Sequence, residues 1–200
     1  VRPHSVMGVC KRVGEQVVRA KAAQSLTRFC AVRFGNVLGS AGSVVSLFRE
    51  QISAGGPVLV THPEVRRYFM TIPEAVALVL KAGYSDYGEL CVLDMGEQLH
   101  IDELARHMIA MSGLVPDVDI PIEYTGLRPG EKLFEELFHE LEPYEQTQHE
   151  KIYLAHPRQA NWDDLSTDLR AAELAVRRYD TKNLKEILLR LVPELAKTSI

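Results

Sequence analysis

Apolar side chains recur every three or four residues over residues 4–25, and this spacing predicts a long amphipathic helix near the start of the sequence. The apolar positions that carry the pattern are Val6, Val9, Cys10, Val13, Val17 and Ala20. The same period predicts further helices over residues 43–56, 72–83, 100–114, 161–179 and 183–191. Gly55 and Gly56 close the second of these helices, because glycine commonly terminates a helix.

Short apolar runs, rich in β-branched and aromatic residues, alternate with these helices and predict strands. They cover residues 27–37, 57–61, 66–71, 88–95, 120–126 and 151–156. The first run, TRFCAVRFGNV, is mostly apolar, as expected of a strand that is buried on both faces. Strands that alternate with helices along a chain indicate an α/β fold.

Composition and charge limit the classes of protein to which this sequence can belong. With 46% hydrophobic and 25% charged residues, the 200-residue chain resembles an ordinary soluble globular protein, and its net charge of -4 gives no reason to expect nucleic acid as a partner. Its three cysteines are widely spaced without a C-x-x-C pair, which is typical of reduced thiols in the cytoplasm. No apolar run reaches the ~20 residues of a membrane-spanning helix. The histidines lack the spacing of metal ligands, so no metal is expected.

Lys11 is the first residue that could carry chemistry. It lies four residues after Met7, so the two side chains share one face of the predicted helix, one turn apart. Spacing alone favours an ordinary solvated lysine. The functional alternative is an ammonium group that binds a ribose and lends positive charge to a reacting centre.

The stretch GLRPGEKLFEEL, residues 126–137, is the second candidate. Pro129 restricts Arg128 to an extended conformation and Gly130 permits a sharp turn, after which Glu131 opens a predicted short helix. One interpretation is a turn with a helix start in which Glu131 complements the helix dipole. The other is a rigidly held guanidinium for a diphosphate and a carboxylate for a ribose diol. The acidic run that follows, residues 134–145, is most simply a solvated helix face.

Two further segments have a functional and an ordinary interpretation. In VRRYFMT, residues 65–71, the arginines at 66 and 67 would point to opposite faces of a strand, so one is solvated and the other could face a phosphate. The glycine-rich GNVLGSAG, residues 35–42, could offer backbone N–H groups to a phosphate. Its spacing is wrong for a dinucleotide-binding fingerprint, and an ordinary connecting loop explains it as well.

Together, five segments resemble one known family. The segments are VMGVCKR, VRFGNVLGSAGSVV, GGPVLVTHPEVRRYFMTIPEAVALVL, LDMGE and GLRPGEKLFEEL. In this order and spacing they are similar to the CapD-like polysaccharide biosynthesis proteins, which are NAD(P)-dependent UDP-N-acetylglucosamine 4,6-dehydratases of the extended short-chain dehydrogenase/reductase superfamily. The resemblance runs from the first residues to about residue 155.

The resemblance implies a fold, a cofactor and a reaction. The fold would be the C-terminal part of a Rossmann-type NAD(P)-binding domain plus a small α/β substrate-binding lobe. Tightly bound NAD or NADP would take a hydride from carbon 4 of a UDP-sugar, water would leave across carbons 5 and 6, and the hydride would return at carbon 6. The product would be a 4-keto-6-deoxy sugar nucleotide for a bacterial surface polysaccharide such as a capsule.

On the cofactor side, the resemblance assigns three residues. Lys11 matches the lysine of the Tyr-x-x-x-Lys pair, which binds the nicotinamide ribose, and Phe34 matches a position near the nicotinamide. Met7 stands where the tyrosine of that pair usually lies, as in many long members of the family. The acid/base would then come from a Thr-Asp-Lys segment expected just upstream of Val1.

On the substrate side, the resemblance assigns four residues. Asn36 matches an asparagine that contacts the diphosphate of the nucleotide sugar, and Arg67 matches the arginine of a strand in the substrate lobe. Arg128 and Glu131 match the pair that holds the diphosphate and the uridine ribose.

The resemblance also predicts how the chain is organised. Residues 1–40 would be the last helix and strand of a truncated Rossmann domain, residues 41–155 mainly the lobe that binds the UDP-sugar, and residues 156–200 a helical extension. The chain is expected to be a fragment that is inactive alone and cytoplasmic. Its full-length parent is expected to form a homo-oligomer and could be anchored to the inner membrane by upstream helices.

Two alternatives stay open. The same scaffold serves UDP-sugar epimerases and reductases, although Met7 disfavours an epimerase, which would normally keep tyrosine there. A chain without catalytic activity could instead be a remnant that still binds UDP through Asn36, Arg128 and Glu131.

Overall fold

A computed structural model describes residues 3–40, 42–138, 142–157 and 161–193. Its helices are α1 (Val6–Ala22), α2 (Val44–Ser53), α3 (Ile72–Tyr84), α4 (Ile101–Met111), α5 (Trp162–Arg177) and α6 (Thr181–Leu191). Its strands are β1 (Ala31–Arg33), β2 (Asn36–Val37), β3 (Val58–Val60), β4 (Arg66–Arg67), β5 (Phe69–Met70), β6 (Leu90–Leu93), β7 (Leu99–His100), β8 (Ile122–Tyr124), β9 (Tyr144–Gln146) and β10 (Ile152–Ala155). The predicted α/β class is confirmed. Every helix in these ranges falls short of the length and apolar character needed to cross a bilayer.

The chain folds into two compact units. The first is built from Val1–Arg33, Ala82–Leu93 and Glu136–Ile200, and the second from Phe34–Lys81 and Asp94–Glu135. The three-part division expected from the sequence concerns the roles of chain segments and stays a prediction.

A four-stranded sheet forms the centre of the first unit, in the order β1-β6-β10-β9. Strand β1 is parallel to β6, whereas β10 is antiparallel to both β6 and β9. All four residues of β6 are buried, but β1 is only half-buried because it lies at an edge of this sheet. The prediction that residues 27–37 form one strand buried on both faces is therefore wrong. The run divides into β1 and β2, which belong to different units.

Helices α5 and α6 pack on α1 in the first unit. Val9 and Val13 of α1 share one apolar cluster with Leu165 of α5 and with Ile187 and Leu191 of α6. Polar contacts reinforce this packing: the Gln16 side-chain amide donates to the carbonyl of residue 191 at 3.1 Å, and Lys21 Nζ lies 3.6 Å from the centroid of the Trp162 ring. The residues after 157 therefore contribute to the core of this unit.

A network of buried charges joins α1 to β1 in the same unit. Arg33 Nε donates to Glu15 at 2.7 Å, and Arg33 NH1 donates to Glu142 at 2.5 Å. The three side chains are 12%, 11% and 3% exposed respectively. Burial raises the pKa of Glu15, but the hydrogen bond and charge of Arg33, aided by Arg12 and Arg19, outweigh it and lower the pKa overall. The pKa of Arg33 is raised by these two carboxylates despite its burial.

Three two-stranded ladders, helices α2 and α4, and most of α3 form the second unit. Strands β2 and β5 are parallel, as are β3 and β8, whereas β4 and β7 are antiparallel. The core lies between α2, β3 and α4, and its fully buried members include Phe48, Val58, Val60, Ala105 and Ile109. Residues 66–71, predicted as one strand, form β4 and β5, which pair with different partners on either side of Tyr68.

The helix predicted after the Arg-Pro-Gly turn is absent, since residues 131–138 are irregular in the structure. Their carbonyl groups accept hydrogen bonds from outside the segment instead of from within a helix. The carbonyl of Leu133 accepts from the backbone N–H of Arg66 at 3.0 Å, and that of Glu135 accepts from the Gln98 side chain at 2.7 Å. The prediction of a solvated acidic helix face is also wrong, because Glu135 and Glu142 both contact arginines. Residues 139–141 of that run lie outside the described residues.

Candidate functional site

A cavity of about 320 Å³ in the second unit is lined by all four residues expected to bind substrate. Its polar lining includes Asn36, Thr61, Arg67, Arg128 and Glu131, and its apolar lining includes Leu47, Phe48, Leu59 and Phe69. A volume of this size, with apolar walls and a few convergent polar groups, is typical of a small-molecule site. The four substrate-side residues assigned from the sequence thus lie around one space.

Strand ends and one turn position these polar side chains. Asn36 opens β2, Arg67 closes β4, and Thr61 follows β3 directly. Arg128 precedes a turn closed by a 2.9 Å hydrogen bond from the backbone N–H of Glu131 to the carbonyl of Arg128. Gly130 adopts a φ of 76° in this turn, a conformation that favours glycine. The rigid turn expected from the Arg-Pro-Gly sequence is therefore present.

Glu131 is held by three donors from different parts of the second unit. Its carboxylate accepts from Thr61 Oγ1 at 2.9 Å, from Arg67 NH2 at 3.1 Å and from the backbone N–H of Arg128 at 3.1 Å. The side chain is 21% exposed. Such a carboxylate is rigidly oriented and can still accept a hydrogen bond from a hydroxyl group in the cavity, because its two oxygens offer about four lone-pair sites.

Arg67 is largely engaged by its own unit. NH1 donates to the carbonyls of Arg66 and Leu133 at 2.8 and 3.2 Å, NH2 donates to Glu131, and Nε lies 3.6 Å from Glu135. Its side chain is 15% exposed. Arg67 therefore lies at the cavity with its charge already shared between two carboxylates.

Glu135, which lies beside the cavity lining and contacts Asn36 and Arg67, is a residue that the sequence interpretation missed. Asn36 Nδ2 donates to its carboxylate at 3.2 Å, and the backbone N–H of Tyr68 donates to it at 3.4 Å. Within the helix that the sequence predicted, Glu135 belonged to a solvated acidic face. The signal that could have identified it is the pair of arginines at 66 and 67, whose buried charge requires carboxylate partners.

Unlike the guanidinium of Arg67, the guanidinium of Arg128 is available to bind a ligand. It is exposed, and among the residues that the structure describes no ion pair or hydrogen bond engages its guanidinium. A planar guanidinium with free N–H groups at the edge of a cavity is suited to bidentate contact with a phosphate or a carboxylate.

The residues expected on the cofactor side are divided between the two units. Lys11 and Met7 are exposed on α1 in the first unit, and Met7 is 72% exposed. Their spacing on one helix face is as predicted. Phe34 is 39% exposed and is the first residue of the second unit. The structure thus brings together Asn36, Arg67, Arg128 and Glu131 in one unit and presents Lys11 in the other.

Gly35 permits the close packing next to Asn36, and we expect Gly35→Ala to destabilise the protein by about 1–3 kcal/mol. A Cβ atom at this position would lie 2.7 Å from Tyr68 Cβ and 3.3 Å from the Glu135 carboxylate. Gly14→Ala is the matched contrast, because a Cβ there meets nothing within 4 Å. In helix α1 it should stabilise by up to about 1 kcal/mol. Urea denaturation of both variants checks the pair, and equal effects would contradict the packing argument.

No group of three or more His, Cys, Asp or Glu side chains that could hold a metal ion occurs in the described part of the chain. The polar lining of the cavity includes guanidinium, amide, hydroxyl and carboxylate groups.

Comparison with known proteins identifies relatives in sequence and in fold. A family described as polysaccharide biosynthesis protein matches residues 1–157. Capsular polysaccharide biosynthesis protein CapD of Staphylococcus aureus is 55% identical over 155 residues, which make up 76% of this chain and 26% of that protein. The X-ray structure of Pen from Bacillus thuringiensis matches with a TM-score of 0.66 at 30% identity, over 80% of this chain and 50% of Pen. MoeE5, solved in complex with UDP-glucuronic acid and NAD, matches with a TM-score of 0.52 at 26% identity, over 66% of this chain and 46% of MoeE5.

The chain spans about a quarter of the length of the staphylococcal relative and half or less of each solved structure. The structural matches confirm the Rossmann-type α/β fold class, and the sequence matches confirm the resemblance inferred from the motifs. Since the match covers residues 1–157 of 200, the chain belongs to the polysaccharide biosynthesis protein family.

Proposed function

We propose that this chain carries the substrate-binding site of an NAD(P)-dependent nucleotide-sugar 4,6-dehydratase that acts on UDP-N-acetylglucosamine in the synthesis of a surface polysaccharide. The observation that carries the proposal is the cavity in which Arg128, Glu131, Arg67 and Asn36 converge. Guanidinium and amide groups suit a diphosphate, and a fixed carboxylate suits the diol of a ribose.

The apolar part of the cavity complements these polar groups. Leu47, Leu59 and Phe69 line it together with the polar residues, so a flat, weakly polar ring such as a pyrimidine can pack there while the phosphates face Arg128. A nucleoside diphosphate combines these two chemistries, which supports a UDP-sugar as the ligand. MoeE5, the similar protein with UDP-glucuronic acid and NAD in its structure, supports the same ligand class.

Lys11 is proposed to hold the cofactor. Its exposed ammonium group on α1 fits a ribose hydroxyl, and among the described residues it has no ion-pair or hydrogen-bond partner that would compete. NAD or NADP would supply the hydride acceptor and return the hydride. Lys11 itself would orient the nicotinamide ribose, and its charge would favour loss of a proton from a nearby hydroxyl.

The methionine at position 7 favours one reaction of this scaffold over another. A thioether cannot donate or accept a proton in place of a tyrosine phenol, so the acid/base group of the reaction is proposed to come from residues outside this chain. An epimerase would be expected to keep that phenol, which is why a dehydratase is favoured over an epimerase. The similarity to capsular polysaccharide biosynthesis protein CapD supports a role in polysaccharide synthesis.

Calorimetric titration with UDP tests the proposed site, and Arg128→Ala should weaken UDP binding by roughly tenfold or more, as expected for the loss of a charged hydrogen bond. Arg49→Ala is the matched control, because Arg49 is an exposed arginine of α2 outside the cavity lining. The control should change UDP affinity by less than about twofold. Equal losses in the two variants, or no binding of UDP by the wild-type chain at millimolar ligand, would refute the site.

A further inference from the structure

The carboxylate of Glu135 lies beside the cavity lining and contacts two of the lining residues, Asn36 and Arg67. Asn36 Nδ2 is 3.2 and 3.4 Å from its two oxygens, the backbone N–H of Tyr68 is 3.4 Å from one of them, and Arg67 Nε is 3.6 Å away. Two neutral donors and a guanidinium around one anionic group form the arrangement that proteins use to bind phosphate. Glu135 therefore fills an anion site with a group of the protein itself.

The hydrogen bonds of Asn36 show which contact must break before a ligand can bind to this side chain. A side-chain amide has two N–H groups. In Asn36 one donates to the carbonyl of Tyr68 at 3.2 Å and the other to Glu135. Both N–H groups are used, so Asn36 can donate to a phosphate only after Glu135 has moved away.

Arg67 is in a similar position. One edge of its guanidinium faces Glu131 and the Nε edge faces Glu135. Phosphate oxygens and the Glu135 carboxylate are both negative, and like charges within a few ångströms repel strongly where solvent screening is weak. A diphosphate and the Glu135 carboxylate cannot occupy the same edge together.

We propose that Glu135 competes with the diphosphate for Asn36 and Arg67, and so determines the affinity and the charge selectivity of the site. This inference rests on the proposed function, since it takes a nucleoside diphosphate as the ligand. A ligand with two or more negative charges can replace the carboxylate on both residues. A neutral nucleoside leaves Glu135 in place and gains nothing from either donor.

The backbone at this position allows such an exchange with little rearrangement. The carbonyl of Glu135 is fixed by the Gln98 side chain at 2.7 Å, and the neighbouring carbonyl of Leu133 is fixed by the backbone N–H of Arg66. With its backbone fixed at this carbonyl, Glu135 can leave by rotation of its side chain. The side chain is 27% exposed, so the rotated carboxylate can reach water.

The test compares the binding of UDP and uridine by wild-type protein, Glu135→Gln and Glu103→Gln. Glutamine keeps the size of the side chain and removes the competing charge. Glu103 is an exposed residue of α4 in the same unit, outside the cavity lining, so its substitution changes the net charge equally. Glu135→Gln should bind UDP about tenfold more tightly than wild type, as expected when a charged competitor is removed. It should bind uridine with unchanged affinity, and Glu103→Gln should match wild type for both ligands.

The outcomes separate this inference from the proposed function. If wild-type protein binds UDP and Glu135→Gln binds it equally or more weakly, then Glu135 orients the site instead of competing for it, and the inference is overturned while the proposed function stands. If neither protein binds UDP, the proposed function fails and the inference with it. Nuclear magnetic resonance of the wild-type protein gives a second readout that needs no variant. UDP should shift the Asn36 side-chain amide signals and uridine should leave them unchanged, and identical shifts with both ligands would overturn the inference.

Discussion

Replacing Arg33 by methionine should lower the free energy of unfolding by about 3–5 kcal/mol, because it removes the arginine that bridges two buried carboxylates. Glu15 is 11% exposed and Glu142 is 3% exposed, and Arg33 donates to both. Arg33→Lys is the matched variant, since it keeps the charge but cannot form paired hydrogen bonds with two carboxylates at once. Arg33→Lys should therefore lose less free energy of unfolding than Arg33→Met. Urea denaturation followed by circular dichroism checks both values.

The pH dependence of this variant distinguishes buried charge from simple loss of packing. In the wild-type protein the pKa of Glu15 lies below its ordinary value of 4.5, so its contribution is present above that pH and is lost as the pH falls through the lower, folded value. In Arg33→Met the charges of Arg12 and Arg19 still oppose the burial of Glu15, but the larger contribution of Arg33 is lost, so the pKa of Glu15 rises relative to wild type and its charged form becomes less favourable. Acidification then removes the penalty. The difference in stability between wild type and variant should therefore narrow as the pH falls below about 5, and a constant difference would show that packing dominates.

Ile187→Ala should lower the free energy of unfolding by about 2–5 kcal/mol, although residue 187 lies beyond the part of the chain that the family profile matches. Ile187 is 1% exposed and belongs to the apolar cluster that α5 and α6 form with α1. Trp162, the one tryptophan of the sequence, packs against the same cluster, so its fluorescence in urea reports the unfolding of this region.

The control for this prediction is Lys185→Ala, an exposed substitution in the same helix. It should change stability by no more than about 0.5 kcal/mol. An effect of Ile187→Ala as small as that of the control would mean that α6 contributes little to the free energy of unfolding and that the stability of α1 does not depend on it.

The helices were the most predictable part of the fold. A period of 3.6 residues located all six described helices, with ends that differ from the structure by at most three residues, as for α1, which spans Val6–Ala22 where residues 4–25 were expected. Short strands were harder. Strands β7 and β9, of two and three residues, are too short to show an alternation of apolar and polar positions.

The segment after Gly130 shows why local pattern failed at the site itself. Leu133, Phe134, Leu137 and Phe138 have the spacing of an apolar helix face, yet the carbonyls of residues 133 and 135 accept from Arg66 and Gln98, which lie far away in sequence. Hydrogen bonds over such distances leave no local signal. The same limit hid Glu135, whose partners Asn36 and Arg67 are 99 and 68 residues away. The roles assigned to Lys11, Phe34, Asn36, Arg67, Arg128 and Glu131 come from the resemblance and stay predictions.

The pairing of Arg33 with Glu15 also fixes the rotation of α1 about its own axis. Lys11 and Glu15 are four residues apart on that helix, so their side chains are separated by only about 40° around it. Any turn of the helix that strained the Arg33–Glu15 contact would turn Lys11 by the same angle. The direction in which Lys11 points is therefore set by an arginine on the neighbouring strand, and substitutions at residue 33 that leave the protein folded could still misalign the lysine.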